Sequence, residues 1–379
     1  MEDFTYYNPT KLIFGKDVKN NLGRCAKSLG TKALLVYGKG SVKSNGIYDD
    51  VVGRLKMAGI SWVEFEGIRP NPIIEDVDAA AELGRNENVD MIIAVGGGSV
   101  VDSAKFISLA IPKECPAWDI VKGKSMLLRS IPIIAVLTLA ATGSEMNRFA
   151  VVQNNQTKEK LGFGSYLIYP KYSFLDPTFT LSVPKNYTAY GIVDLIAHSL
   201  EAYFGKGDAS LSDKFVYAVI KEALEYGPAL MENLDNYDLR ARIMYAATNA
   251  LNNLLFYGRE SGDWGVHSIG HELSVLYDVP HGASLSIAYP AWLKLQADRI
   301  PDRIEELGNN LFNTNNTSET IAELEAFFKA LGSPTRLSDI GISASQKDRI
   351  VQNMISNEVE GSNHKLTHQD YETIIELCF

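Results

Sequence analysis

Cysteine and histidine are both scarce in this sequence. The three cysteines, Cys25, Cys115 and Cys378, are odd in number, far apart and without paired spacing. That argues against a disulfide framework or a cysteine–zinc module, and it fits a reducing cytoplasm. Basic charge is also short: 36 Lys and Arg face 46 Asp and Glu, a formal net charge of -10. Non-specific binding to nucleic acid or to an anionic membrane needs a basic footprint, so neither partner is expected. The longest apolar run, near Ile131–Ala141, is too short to span a bilayer as a helix. The opening Met-Glu-Asp-Phe lacks the basic-then-apolar pattern of a signal peptide. With 46% apolar and 22% charged residues over 379 positions, the chain is globular and long enough for two domains.

The first half reads as alternating strands and helices. Apolar runs at Ala33–Tyr37, Trp62–Phe65, Met91–Val95 and Ile133–Thr138 are separated by helical stretches near Ile47–Met57 and Ile74–Leu83 and after Ser99. Continuous apolar strands with helices between them indicate a parallel sheet covered on both faces. After Val183-Pro184 the spacing turns helical, over Tyr187–Phe204, Asp213–Tyr226, Tyr237–Leu255, Ile304–Leu311 and Ser318–Leu331. The fold class expected is an α/β N-terminal domain, residues 1–183, followed by an all-α domain, residues 184–379.

Two glycine-rich turns follow strands. Gly96-Gly97-Gly98-Ser99 leads into a helix carrying Asp102 and Lys105, and a phosphate can approach such a backbone at a helix start. A tight turn with no ligand uses the same residues. Neither this turn nor Gly38-Lys39-Gly40 completes the usual dinucleotide fingerprint, because Val101 and Lys43 stand where the third glycine belongs. The earlier turn contains Lys39, Ser41 and Lys43 and no carboxylate, which favours NADP(H) over NAD(H) unless both lysines are simply solvated.

The six histidines are His198, His267, His271, His281, His364 and His368. Asp194 and His198 are four apart, as are His267 and His271, so each pair shares one helix face. His281 follows in a turn-like Val279-Pro280-His281-Gly282. One Asp/His pair alone reads as a structural hydrogen bond. Together the set suits a divalent metal such as Fe2+ or Zn2+. His364 and His368 lie in a polar segment and are read as surface residues.

The chain resembles the iron-containing (group III) alcohol dehydrogenases, and within them the butanol dehydrogenase branch. The likeness runs from Tyr7-Asn8-Pro9 to the C-terminal helix through Pro70-Asn71-Pro72, Gly96 to Lys105, Ala141-Thr142-Gly143-Ser144-Glu145, Leu175-Asp176-Pro177 and the histidine segments. It implies a dehydroquinate-synthase-like fold with a nicotinamide nucleotide between the domains. It also implies metal binding by Asp194, His198, His267 and His281, with His271 beside them as proton relay. The cofactor positions it carries over are Gly38, Ser41, Asn71, Gly97, Gly98, Ser99, Thr138, Leu139, Thr142 and Lys160. Asp102 would lie at the ribose or nicotinamide end, as a second catalytic residue. Many relatives have threonine where Leu139 stands and glycine where Ala141 stands. NAD-using members often carry an aspartate in the region of Lys39-Gly40-Ser41, which supports NADP(H). A homodimer is implied by the resemblance alone.

The expected activity is therefore reversible hydride transfer between NADP(H) and a primary alcohol/aldehyde pair such as butanol/butanal, a small-molecule substrate. Alternatives are an NAD(H)-preferring member of the same family, a metal-dependent lyase of the dehydroquinate synthase type, or a non-catalytic binding protein on this scaffold. Tyr190, Leu195, Leu254, Phe256, Tyr257 and Trp264 flank the metal segments, and an apolar, aromatic neighbourhood favours alkyl or aryl aldehydes over a polyhydroxylated anion.

Overall fold

The computed structural model describes residues 1–379. Contacts divide the chain into two compact units. One comprises Tyr7–Val183 with Asp235–Met244, the other Met1–Tyr6, Pro184–Leu234 and Tyr245–Phe379. The two short excursions differ from the expected 1–183 and 184–379 division, and side chains explain both. The Phe4 and Tyr6 rings lie 5.0 and 5.1 Å from Tyr257, and the Glu2 N–H donates to the Gly258 carbonyl at 2.9 Å. Met244 is fully buried in a cluster with Leu137 and Leu175.

The first unit is built on six parallel strands, β1 (Lys11–Phe14), β2 (Lys32–Gly38), β3 (Ser61–Ile68), β4 (Met91–Gly96), β5 (Ile133–Leu137) and β8 (Tyr172–Leu175). Their order is β1-β8-β5-β4-β2-β3. An antiparallel hairpin, β6 (Phe149–Asn154) and β7 (Glu159–Gly164), stands apart from the sheet. Successive strand side chains point to opposite faces. Leu34, Val36, Ile92 and Ala94 accordingly join one core with helices Ile74–Asn86 and Gly98–Lys113. Ala33, Leu35, Tyr37, Ile93 and Val95 join another with helices Leu22–Lys27 and Ile47–Ala58. The central strands are buried on both sides, hence their unbroken apolar runs.

β2 pairs with β3 on one side and β4 on the other, so the strand order reverses there. In open α/β sheets a ligand crevice forms outside the carboxyl ends of the strands at that reversal. The two glycine-rich turns follow β2 and β4. The fold has placed them together.

The second unit is helical. Lys185–Tyr203 and His281–Gln296 are buried on nearly every face, which makes them its central helices. Around them lie Ser210–Glu232, Gly265–Tyr277, Pro301–Phe312, Thr317–Ala330, Lys347–Ser356 and His368–Leu377. Sequence signals start several of these. Pro184 and Pro280 immediately precede the central pair, Asn316 accepts the Glu319 N–H at 2.8 Å, and Thr367 and Asp370 form a reciprocal capping box. No helix of the protein is long and apolar enough to cross a membrane.

Candidate functional site

In the α/β unit, Gly38 closes β2 and Ser41 opens a short helix after Gly40, whose φ of 65° is left-handed. Gly97 is the N-cap of helix Gly98–Lys113 and offers no side-chain cap, so the first-turn N–H groups suit an anion. A Cβ on Gly98 would overlap the Thr142 side chain, and one on Gly97 would stand 3.2 Å from Leu139 Cβ. These glycines therefore admit the 138–142 loop as well as any ligand. Thr138 N–H donates to the Gly96 carbonyl at 3.0 Å, and the Ser99 hydroxyl donates to the Pro70 carbonyl. Next to Pro70, Asn71 accepts from the Lys160 ammonium at 2.9 Å, both side chains being buried. The residues expected to hold the nucleotide thus share one end of the sheet.

Asp102 is committed within this unit. One oxygen accepts from the Ser144 hydroxyl at 2.5 Å, the other from the Val151 N–H at 3.0 Å. Lys105, fully buried, donates to Ser144 Oγ, Asn147 Oδ1 and the Phe149 carbonyl. Burial pushes the Asp102 carboxyl up and the Lys105 ammonium down to about 8, while each partly holds the other's charge. The network fastens the hairpin start to the helix.

The helical unit brings the Asp/His residues together. Asp194 and His198 sit on Lys185–Tyr203, His267 and His271 on Gly265–Tyr277, and His281 is the first residue of His281–Gln296. A Cβ on Gly282 would overlap the Tyr190 carbonyl, and one on Gly270 would lie 2.8 Å from Ser284 Oγ. Absent Cβ atoms let the three helices approach closely enough for their polar groups to meet. Asp194 Oδ1 stands 3.6 Å from His198 Nδ1, 3.9 Å from His267 Nε2 and 3.7 Å from His281 Nε2. These separations are too long for hydrogen bonds. Donor atoms each about 2.1 Å from a common tetrahedral ion stand about 3.4 Å apart, close to this spacing.

The surrounding hydroxyls are satisfied. Ser199 donates to the Leu195 carbonyl, and Ser284 to that of His281. Asp194 Oδ1, His198 Nδ1 and His267 Nε2 are buried without any hydrogen-bond partner. Three buried, orphaned donor atoms, two of them imidazole nitrogens each within 3.9 Å of Asp194 Oδ1, cost several kcal/mol unless a cation joins them. The residues fit a divalent metal ion. Asp194, His267 and His281 form the tightest group, their ligand atoms all within 4.8 Å of one another. His198 adjoins them, its ring stacked 4.7 Å from that of His267. Burial, partly opposed by Asp194, lowers His198 to about 4 and keeps it neutral, as a ligand must be. Burial acts likewise on His267, but Asp194 and Glu201 outweigh it and raise that imidazole to about 9 when no other cation is there.

The chain matches the family model described as iron-containing alcohol dehydrogenase over residues 9–177. Its C-terminal counterpart matches residues 188–378. The chain belongs to the iron-containing alcohol dehydrogenases. It is 40% identical to the probable NADH-dependent butanol dehydrogenase 1 of Bacillus subtilis, covering 99% of both chains. It is 36% identical to the NADPH-dependent aldehyde reductase YqhD of Escherichia coli over 97% of each. The crystal structure of NADH-dependent butanol dehydrogenase A from Thermotoga maritima superposes with a TM-score of 0.97 at 39% identity, covering 100% of this chain and 99% of that one. The dehydroquinate-synthase-like fold expected from the resemblance is the one observed.

Several features of this alcohol dehydrogenase differ from the sequence reading or were missed by it. His281 does not sit in an open turn but begins a helix, and its side chain is 25% exposed while Asp194 and His198 are buried. His271 lies on that more open side, its ring 5.7 Å from His281 and outside the tight ligand group. His364 is not a surface residue. It is half-buried, edge-on to the buried Trp292 ring at 5.6 Å, because the Asp263 carboxylate accepts the Asn363 and His364 N–H groups and holds that segment down. Lys43 is exposed but paired. Its ammonium donates to Glu66 at 2.7 Å and rests over the Tyr37 and Tyr48 rings, so the loop lacks a carboxylate only in sequence.

Glu201 was missed altogether, although it stands seven residues after Asp194 and three after His198 on the same helix face. It is 1% exposed, and one oxygen lies 2.7 Å from His267 Nδ1.

Proposed function

We propose that this dehydrogenase interconverts primary aldehydes and alcohols, butanal and butanol among them, with NADP(H) as the hydride partner. The observation that carries it is the convergence of three imidazoles on one orphaned oxygen of Asp194. Asp194, His198, His267 and His281 would hold Fe2+, the metal of the family description, or Zn2+, which suits the same donors. When bound, the ion supplies a Lewis acid for the reacting oxygen, and the reduced nicotinamide supplies hydride.

The chain's own residues do the rest. The His271 imidazole, on the more open side, moves the proton that the oxygen gains or loses. Leu254, Phe256 and Trp264 are half-buried, and the stacked Phe256 and Trp264 rings, 5.7 Å apart, provide an apolar wall for an alkyl chain. Residues 1–183 serve as the dinucleotide-binding domain. There the Gly97-Gly98-Ser99 turn, the 138–142 loop, Asn71 and Lys160 bind the nucleotide, with Gly38 and Ser41 at the neighbouring strand end. Asp102 acts on the cofactor side through its Ser144 and Val151 contacts. Residues 184–379 carry the metal. Lys39, Ser41 and Lys43 favour a 2′-phosphate, while Glu66 offsets part of the Lys43 charge and leaves NADH usable. Family resemblance supports a homodimer, and cysteine usage supports the cytoplasm.

The test is nicotinamide absorbance with butanal, NADPH or NADH, and protein reconstituted with Fe2+ or Zn2+. Metal-dependent oxidation of NADPH upholds the proposal. A strong preference for NADH overturns the cofactor assignment, and turnover without metal overturns the site.

A further inference from the structure

Glu201 has no place in the chemistry described above, yet its surroundings are specific. It lies on the buried helix Lys185–Tyr203 and is 1% exposed. Its carboxylate meets two backbone N–H groups and an imidazole nitrogen from the start of the next metal-bearing helix, Gly265–Tyr277. Oε2 accepts the Trp264 backbone N–H at 2.5 Å. Oε1 accepts the His267 backbone N–H at 3.1 Å and lies 2.7 Å from His267 Nδ1. That helix start is only partly capped locally, by Asp263, which accepts the Gly265 N–H at 3.2 Å. Its N-cap residue is Trp264, held at φ 67°, and provides no side-chain cap. Glu201 does from a neighbouring helix what a serine or aspartate at the cap does locally.

The contact with His267 carries a chemical consequence. An ionised carboxylate only accepts hydrogen bonds, so the proton of a neutral His267 must sit on Nδ1. The lone pair is then on Nε2, the atom turned toward Asp194. We propose that Glu201 is a positioning residue of the metal site: it fixes the tautomer and ring orientation of His267 and ties both to the first turn of helix Gly265–Tyr277. A carboxylate behind a metal-binding imidazole also raises its basicity, and removing such a partner typically weakens metal binding about 10–100-fold. The role rests on the metal site proposed above.

The test compares wild type with E201Q, using Zn2+ alone as the probe. Zn2+ affinity is measured by competition with a chromophoric chelator, and the metal-free fold by thermal unfolding. Gln keeps an acceptor for the helix start but no charge for the imidazole. The expected result is Zn2+ binding weakened about 10–100-fold, with the metal-free thermal midpoint within a few degrees of wild type. Equal Zn2+ affinity in the two proteins overturns the role of Glu201 and leaves the metal site standing. Failure of wild type to bind Zn2+ overturns the metal site itself. A second measurement holds even if E201Q does not fold. Nitrogen-15 NMR of histidine-labelled, Zn2+-loaded wild type should show His267, assigned by its loss in H267Q, protonated at Nδ1. A proton on Nε2 overturns the proposal.

Discussion

Asp194 and His281 present donor atoms 3.7 Å apart, one residue buried and the other partly open. Replacing either with alanine removes a proposed ligand and should abolish stoichiometric metal by elemental analysis. Aldehyde reduction should fall at least about a hundredfold, since the Lewis acid accounts for several kcal/mol of the barrier. Unchanged metal content in both variants would show that the ion sits elsewhere. At the cofactor loop, K43A should raise KM for NADPH more than for NADH, and E66Q should lower KM for NADPH. Steady-state kinetics with both nucleotides checks the pair, and parallel changes for the two nucleotides would remove Lys43 from 2′-phosphate recognition. The histidines were legible because so few are present and two pairs fall four apart. Glu66 was not, because it reaches Lys43 across 23 residues through strand pairing, which no local pattern records. Glu201 was within reach of helical spacing, and was overlooked because an acidic residue on a helix is ordinarily solvated.

Helix packing sets the site as firmly as its ligands do. The alanine methyl in G282A would meet the Tyr190 carbonyl, part of a helix that cannot yield locally. A loss of about 1–3 kcal/mol is expected, together with weaker metal binding, because His281 adjoins the clash. Calorimetry and metal titration test both, and wild-type values in each would mean the helices have slack. Helix Thr317–Ala330 carries a different constraint. Burial would push the Glu325 carboxyl up, but Lys294, Lys329 and Arg336 hold it down at about 2 against an ordinary 4.5. It is harder to protonate folded than unfolded, so its contribution is complete above pH 4.5 and fades as pH falls toward 2. E325Q should flatten that acid limb of stability by about 2 kcal/mol, measured by denaturant unfolding across the range. An unchanged limb would show that the three cations do not act through Glu325. Most helices and the central strands were legible from apolar periodicity. β1 and β8 were not, being four residues each, and the β6–β7 hairpin turns through polar Asn155–Lys158, with Lys158 at φ 57°.

For the molecule as a whole, the two proposed ligands belong to different compact units, and hydrogen exchange should separate them. Zn2+ should protect peptides covering 185–203 and 265–296, and NADPH those covering 38–44 and 96–105. The reverse pattern would overturn both assignments. The excursions at 1–6 and 235–244 depend on anchoring contacts, those of Tyr257 and Gly258 for the first and of Met244 and Arg240 for the second, that composition does not reveal. Met244 has a consequence for how the protein is made. Synthesis is vectorial, and domains tend to fold as they emerge. The α/β unit, however, still lacks a piece of its core when Val183 leaves the ribosome. Leu137 and Leu175 must wait for Met244 to follow. A fragment ending at Val183 therefore corresponds to a nascent chain paused with that apolar seat empty. The opposite holds at the other end: Met1–Tyr6, made long before their partners, find them only when Tyr257 and Gly258 arrive.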